Sequence, residues 1–335
     1  MIKKTKLITV TGGRGFIGSR FVKYILENTK YDVAVIDILT YVSSNLIKQR
    51  FDWLDSSMKK RVKFYDGVDI ADTNINSKTN NCLLKSEYVV NFAAETHVDN
   101  SITDGSPFMR ANVMGVFNLL EIVRQSKELK RFVQISTDEV YGDRYEEGIQ
   151  MADEQTLQKP SSYYAASKAS ADNLVIACGR TYGLKYLITR SCNNFGPHQY
   201  PEKFIPKILK CIKEDQPIPV YGDGTQCREW IYVDDNARMI FSLMKNSEAK
   251  NHIVNIGSTQ DPIGNCDIVN YVSSVWELLG NKIKIKRVKD RLGHDKLYTM
   301  DSTKLGVLEG KNAYWTLKLF EFLHSQLQTL HDELN

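Results

Sequence analysis

Long apolar runs are missing from this sequence, and with them the means to cross a membrane. The opening Met1-Ile2-Lys3-Lys4-Thr5-Lys6 leads into four apolar or β-branched residues before glycine, too few for a signal peptide, and no later run reaches the length of a span. Cysteine is sparse and unpaired: Cys82, Cys178, Cys192, Cys211, Cys227 and Cys266 occur singly, with no Cys-x-x-Cys pair and no histidine at finger-like spacing. That argues against zinc or any other metal and against a disulfide framework. Surplus charge is small, +4 overall with the basic residues dispersed, which argues against nucleic acid as a partner and fits a small anionic ligand. No internal repeat and no low-complexity segment interrupts the pattern. The expectation is a soluble, cytoplasmic protein, whose 335 residues, 42% of them hydrophobic, suffice for one large or two modest cores.

What is present starts with a buried strand at residues 7–10 that runs into Gly12, Gly15 and Gly18 and then a helical segment. A glycine triplet between strand and helix permits a tight turn, close approach of the backbone to a pyrophosphate, and an anion at the helix N-terminus. A second strand, residues 32–36, ends at Asp37. A carboxylate there can accept hydrogen bonds from both ribose hydroxyls of an adenosine and would repel a 2′-phosphate, so NAD is favoured over NADP. A third strand at 62–65 precedes Asp69 and Ile70, a carboxylate and an apolar wall for adenine. A fourth at 88–92 ends at Ala93 and Ala94, small enough for a cofactor to lie against the backbone. Repeated β-then-α units predict a doubly wound parallel sheet.

The chemistry-bearing groups cluster next. The apolar strand 131–135 delivers Ser136, Thr137, Asp138 and Glu139 to its carboxyl edge, where ligands bind in open α/β sheets. Tyr164 and Lys168, four apart in a predicted helix over 163–182, share a face. An ammonium beside a phenol favours phenolate. A second helix is predicted over 108–127, with Val113, Val116, Phe117, Leu120 and Val123 on one side as core or interface. Beyond residue 190 the texture changes: prolines at 197, 201, 206, 217 and 219 and glycines at 196, 222 and 224 predict loops and short elements, as in a ligand-closing domain. Residues 233–241 read as a return to the main scaffold, and 282–288 as a strand with a solvated face.

Taken together, these motifs resemble the extended short-chain dehydrogenase/reductase family, and within it the nucleoside-diphosphate-glucose 4,6-dehydratases, over about residues 7–306. The resemblance is carried by the glycine turn, by Tyr164 with Lys168, and by five further stretches: 93–99, 136–143, 193–203, 220–228 and 290–295. It implies a Rossmann-type sheet formed by residues 1–190 and 230–256, and a smaller mixed α/β sugar-nucleotide domain formed by 191–229 and 257–335. It implies a tightly bound NAD, regenerated at each turnover and held by Gly12, Gly15, Phe16, Ile17, Gly18, Asp37, Asp69, Ile70, Ala93, Ala94, Tyr164 and Lys168.

The same resemblance assigns the chemistry. Tyr164 takes the C4 hydroxyl proton, Lys168 lowers the tyrosine pKa and holds the nicotinamide ribose, and Thr137 bonds the C4 oxygen. Glu139 removes the C5 proton, and Asp138 donates to the departing C6 hydroxyl. His97 and Ser101 would lie by the glucose, Asn193 near the sugar or its phosphate, and Lys203, Arg228, Arg291 and His294 around the nucleoside diphosphate. The product would be a 4-keto-6-deoxyglucose, as in rhamnose-type biosynthesis. The form of residues 96–101 leans towards UDP-glucose and that of 293–295 towards dTDP-glucose, with the balance slightly to the former. A homodimer through the helices at 108–127 and 163–182 is implied as well. The competing readings are a sugar-nucleotide 4-epimerase, which has no need of Asp138 and Glu139, and a catalytically silent NAD-binding regulator. Arg14 stands where alanine is usual, Tyr163 where proline is usual and Cys192 where serine is usual. The chain beyond Gly306 lacks the family's tryptophan and proline motif.

Overall fold

Seven short runs rich in valine and isoleucine, buried on both faces, can only be satisfied as neighbours in a covered parallel sheet. The computed structural model describes residues 6–40, 46–73, 75–145, 148, 150–258, 260–310 and 314–334. It builds that sheet from β1 (Leu7–Thr11), β2 (Asp32–Asp37), β3 (Val62–Asp66), β4 (Tyr88–Asn91), β5 (Arg131–Thr137), β6 (Tyr186–Ser191) and β7 (His252–Ile256). Their spatial order is β7-β6-β5-β4-β1-β2-β3, and every pairing is parallel. The strand order reverses beside β1, so the crevice for a ligand opens over the carboxyl ends of β1 and β4. Buried polar side chains inside the sheet are paired across strands: Thr11 Oγ1 donates to Asn91 Oδ1 at 2.5 Å, and Asn91 Nδ2 to Gln134 Oε1 at 2.9 Å.

Helices cover both faces. On one side α1 (Phe16–Asn28) packs through Phe21, Val22, Ile25 and Leu26. On the other lie α2 (Gly115–Val123) and α3 (Tyr163–Tyr182), which share a core with Val89, Phe132 and Ile188. Helix α3 begins where Ser162 Oγ accepts from Ala165 N at 3.1 Å and ends at Gly183 in a left-handed conformation (φ 72°). Tyr163 is thus its first helical residue, the position where proline is tolerated best.

The helix expected over 108–127 is interrupted. Residues Met109–Met114 form a π-helical turn between Ser106–Phe108 and α2. Such a turn adds a residue and rotates the remainder of the helix about its axis. Val116, Leu120 and Val123 therefore face the core, while Phe117 is turned to the surface.

The second half of the chain makes another core from α4 (Phe204–Lys213), α6 (Asn265–Leu278) and α7 (Leu319–Leu334), around Phe195, Ile208, Trp230, Val272 and Leu323. Between them α5 (Val233–Lys245) returns to the sheet and packs on α1. Among the described residues, three two-stranded ribbons tie this half together; one pairs Ile218–Tyr221 with Ile285–Val288, the predicted strand shortened at its start. The expected boundary at 257 is not clean, because Met300 and Leu305 lie in the core of the first half. No helix among the described residues is long and apolar enough to cross a membrane.

Candidate active site

A cavity of about 840 Å³ runs along the carboxyl ends of the sheet and between the two halves. Its first wall is made of backbone. Gly12 has φ +67°, and a Cβ placed there would lie 2.4 Å from Ala93 N; one on Gly18 would lie 2.4 Å from Gly12 O. The glycines thus let the turn pack backbone to backbone against the end of β4 and against the start of α1, where a side chain would collide. Helix α1 starts at Gly15 with no side-chain cap, so the N–H groups of its first turn are available to an anion. At the end of β2 the Asp37 carboxylate is oriented by Arg14 N (3.0 Å) and Leu39 N (2.9 Å). Phe16, Ile17, Asp69, Ile70, Ala93 and Ala94 line the same wall. Asp69 is also committed to Arg110 (2.8 Å) and to Ala71 N (2.8 Å). This cradle fits a dinucleotide, with the pyrophosphate on the glycine turn and a ribose on Asp37.

At the centre, β5 passes into a 3₁₀ turn, Asp138–Tyr141, capped by Thr137, whose Oγ1 accepts from Glu139 N (3.3 Å) and donates to Asp138 Oδ1 (3.1 Å). The turn closes at Gly142 (φ +73°), where any Cβ would meet Lys159 O at 2.1 Å. Tyr164 is buried, its ring seated on Phe108 (6.3 Å between centroids) and Val98. Thr137, Glu139, Tyr164 and Lys168 all line the cavity, and Asp138 lies buried just behind them.

The two adjacent carboxyls sit in different surroundings. Burial, then the Glu139 and Glu229 carboxylates, push Asp138 up to about 8. Burial raises Glu139 too, and it stays above its ordinary value although Arg291, Arg228 and Lys203 oppose the rise. One carboxyl is thus kept protonated near neutrality while its neighbour faces cations, the division that separates an acid from a base.

One expectation is corrected here. Lys168 Nζ donates to Ile135 O at 2.5 Å and faces Asp172, and burial brings its own pKa down to about 8. Tyr164 is held well above its ordinary value by burial and by Glu139 and Asp138, with a Thr137 hydrogen bond acting the other way. The ammonium is directed at the strand, so it does not bring the phenol down by itself. Beneath it Asp172 accepts from Ser136 Oγ and Arg190 Nε, both at 3.0 Å, and Arg190 lies over Tyr141 (4.8 Å).

The opposite wall carries long cationic side chains. Arg228 is buried, donates to Cys227 O and Asp295 O at 2.8 Å each, and stacks on Tyr298 (4.1 Å). Because carbonyl oxygens hold it in place, its charge is directed to an anion in the cavity. Lys203 Nζ donates to Thr96 O (2.8 Å), Arg291 faces Asp99 at 3.7 Å, and His294 Nδ1 meets Asp290 at 2.6 Å. His97, 4.0 Å from Glu202, and Asn193 line the cavity as well. Ser101 does not: it is fully buried, and its hydroxyl donates to Val98 O (2.7 Å) within its own turn.

Several residues at this site carried no local signal. Asn112, inside the π turn, bonds Glu95 N (2.9 Å), Glu95 O (3.0 Å) and Ser167 Oγ (2.8 Å), clamping the loop after β4 to α3. Glu95 and Glu202 line the cavity and face one another electrostatically, which raises Glu95 after burial has done so. Glu229 accepts from Thr299 Oγ1 (2.7 Å), Met300 N (2.8 Å) and Ser258 N (3.0 Å), locking the segment that carries Arg228.

Comparison with known proteins agrees with this arrangement. The NAD dependent epimerase/dehydratase family matches residues 8–257. The low-salt glycan biosynthesis protein Agl12 of Haloferax volcanii is 38% identical, over 93% of this chain and 94% of its own. dTDP-glucose 4,6-dehydratase 1 of Escherichia coli K12 is also 38% identical, over 89% of this chain and 86% of its own. The crystal structure of a dTDP-glucose 4,6-dehydratase from Streptomyces venezuelae, with NAD bound, superposes with a TM-score of 0.84 at 32% identity, covering 98% of this chain and 97% of that one. A match of that breadth, with relatives this similar along most of their length, makes this chain a member of the NAD dependent epimerase/dehydratase family.

Proposed function

We propose that this chain is an NAD-dependent 4,6-dehydratase of a nucleoside-diphosphate glucose, with dTDP-glucose as the favoured substrate. The observation that carries the reading is the split between Asp138 and Glu139, since a 4-epimerase needs no acid and base beyond the tyrosine. A silent NAD sensor has no use for a buried carboxyl pushed up to about 8 beside a carboxylate facing three cations. The lean of residues 96–101 towards uracil is outweighed by relatives that are named dTDP-glucose 4,6-dehydratases.

In this reading the positive charge of the nicotinamide, when bound, would favour ionisation of the buried Tyr164, and the phenolate accepts the C4 hydroxyl proton while Thr137 holds that oxygen. A NAD held by Gly12, Gly18 and Asp37 would supply the hydride acceptor for C4 and, once reduced, the hydride donor for C6. The C4 ketone acidifies the C5 hydrogen, which Glu139 removes, and Asp138 gives its proton to the C6 hydroxyl as it leaves as water. A proton then returns to C5. Arg228, Arg291, Lys203 and His294 hold the diphosphate, and Asn193 and His97 the sugar. Residues 1–190 with 230–256 serve the cofactor, and 191–229 with 257–335 the sugar nucleotide, except that 300–309 belong with the first core. Exposed Met109, Met114, Phe117, Tyr163 and Tyr182 on or beside α2 and α3 support pairing with a second copy; sedimentation should give a dimer, and a monomer would refute that pairing.

The test is incubation with dTDP-glucose and, separately, UDP-glucose without added cofactor, followed by mass spectrometry. Loss of one water with preference for dTDP-glucose is expected. A change of sugar at constant mass would replace dehydration by epimerisation, and inertness even with added NAD would leave the sensor.

A further inference from the structure

Beside the ribose corner of the cofactor wall, one strand further out than Asp37 and behind the residues that line the cavity, lies a second carboxylate that the dehydratase reading does not use. Parallel pairing of β2 with β3 sets Asp37 opposite Asp66. Asp66 takes the Arg14 guanidinium from two sides, Nε donating to Oδ1 at 3.0 Å and Nη2 to Oδ2 at 2.7 Å. The guanidinium lies 3.6 Å from the Phe64 ring centroid and 5.0 Å from that of Phe51. Arg14 belongs to the glycine turn, and its own N–H donates to Asp37 Oδ2 at 3.0 Å. A cation on a flexible stem therefore starts from the very carboxylate that would meet the ribose 2′-hydroxyl, but is turned away from it. Arg50, fully buried, donates to Arg14 O (2.8 Å) and fixes the turn from behind. Bidentate pairing is how arginine also takes phosphate, and an arginine beside the ribose is what accommodates a 2′-phosphate.

We propose that Asp66 is a specificity-determining residue of the cofactor site: it withholds Arg14 from the ribose 2′ position and, together with Asp37, excludes a dinucleotide bearing a 2′-phosphate. This rests on the NAD reading of the cavity. Asp37 alone supplies repulsion; Asp66 removes the partner that would overcome it.

The test equilibrates the purified protein with equal NAD⁺ and NADP⁺ and measures the bound nucleotides by mass spectrometry. The unaltered chain should hold NAD; if it holds neither dinucleotide, the cofactor reading itself fails and the proposal with it. Asp37→Ser should lose most NAD without taking up NADP in its place. Adding Asp66→Asn should raise the NADP:NAD ratio about tenfold or more over Asp37→Ser, the worth of one charge-assisted pair. Adding Arg14→Gln to that double variant should abolish the gain. A ratio in Asp37→Ser equal to that of the double variant, or a gain that survives Arg14→Gln, would overturn the proposal. Thermal midpoints are measured alongside, with Asp66→Ser as the substitute if Asp66→Asn does not fold. Failure of both to fold would count against the proposal, because it would make the carboxylate a structural requirement.

Discussion

On the cofactor side of the cavity recognition is built from backbone: a glycine turn, a bare helix start, and carboxylates or small residues at strand ends. On the other wall, to which the proposed function gives the sugar nucleotide, it is built from long side chains, Lys203, Arg228, Arg291 and His294, that arrive from segments far apart in sequence beside a second core. A backbone site is specified by what a few adjacent residues lack. A side-chain site is specified by how separate segments are held, and here Glu229 and Asn112 do the holding. The groups proposed to react stand at the seam, with Asp138 and Glu139 at the end of the sheet and the cations that act on Glu139 on the other wall.

That contrast can be broken at the seam first. Glu139→Gln should lower turnover by about 10²–10⁴-fold while C4 oxidation continues, so reduced nicotinamide accumulates on the protein; normal turnover would remove Glu139 from the reaction. Gly12→Ala attacks the backbone wall. A Cβ at a positive φ and 2.4 Å from Ala93 N should cost about 2–4 kcal/mol, seen as loss of copurifying NAD. Arg228→Gln attacks the other wall and should raise KM by about 10–100-fold, with NAD content unchanged; loss of NAD instead would merge the two walls into one.

The carboxyl split predicts a pH effect. Because the proposed acid Asp138 must enter protonated and burial pushes it up to about 8, kcat/KM should fall as pH rises through that value, by about tenfold per unit above it. Asp138→Asn should abolish this limb along with most activity. The smallest effect belongs to Ser101→Ala. Its hydroxyl serves only Val98 O among the described contacts, so stability should fall by about 1 kcal/mol and KM should stay put.

The same contrast governs what could be read before the fold was known. Strands ending at Thr11, Asp37, Asn91 and Thr137 declare themselves by short apolar runs, and the glycine turn by spacing, so the cofactor wall was legible residue by residue. Tyr164 and Lys168 were legible as a pair, but not that Lys168 would turn to Ile135 O, since the acceptor lies on another strand. The cations of the far wall were found only through resemblance to a family; read alone, each is an ordinary surface charge. Phe117 is placed on the packed side by ordinary helical periodicity but is exposed, and Asn112 carries no signal of its own, because a π turn shifts register without a composition signal. Helix α7 was not anticipated, since the segment lacks the family motif that would have announced it, yet its Leu319, Leu323 and Leu327 complete the second core.

The central claim is that one hydride leaves C4 and returns, on the same sugar, to C6. The direct measurement uses dTDP-glucose deuterated at C4, turned over without added cofactor, with the label located in the product by NMR. Deuterium at C6 of a 4-keto-6-deoxy sugar is the predicted result. Deuterium back at C4 of an undehydrated sugar, or lost to water, would contradict the account.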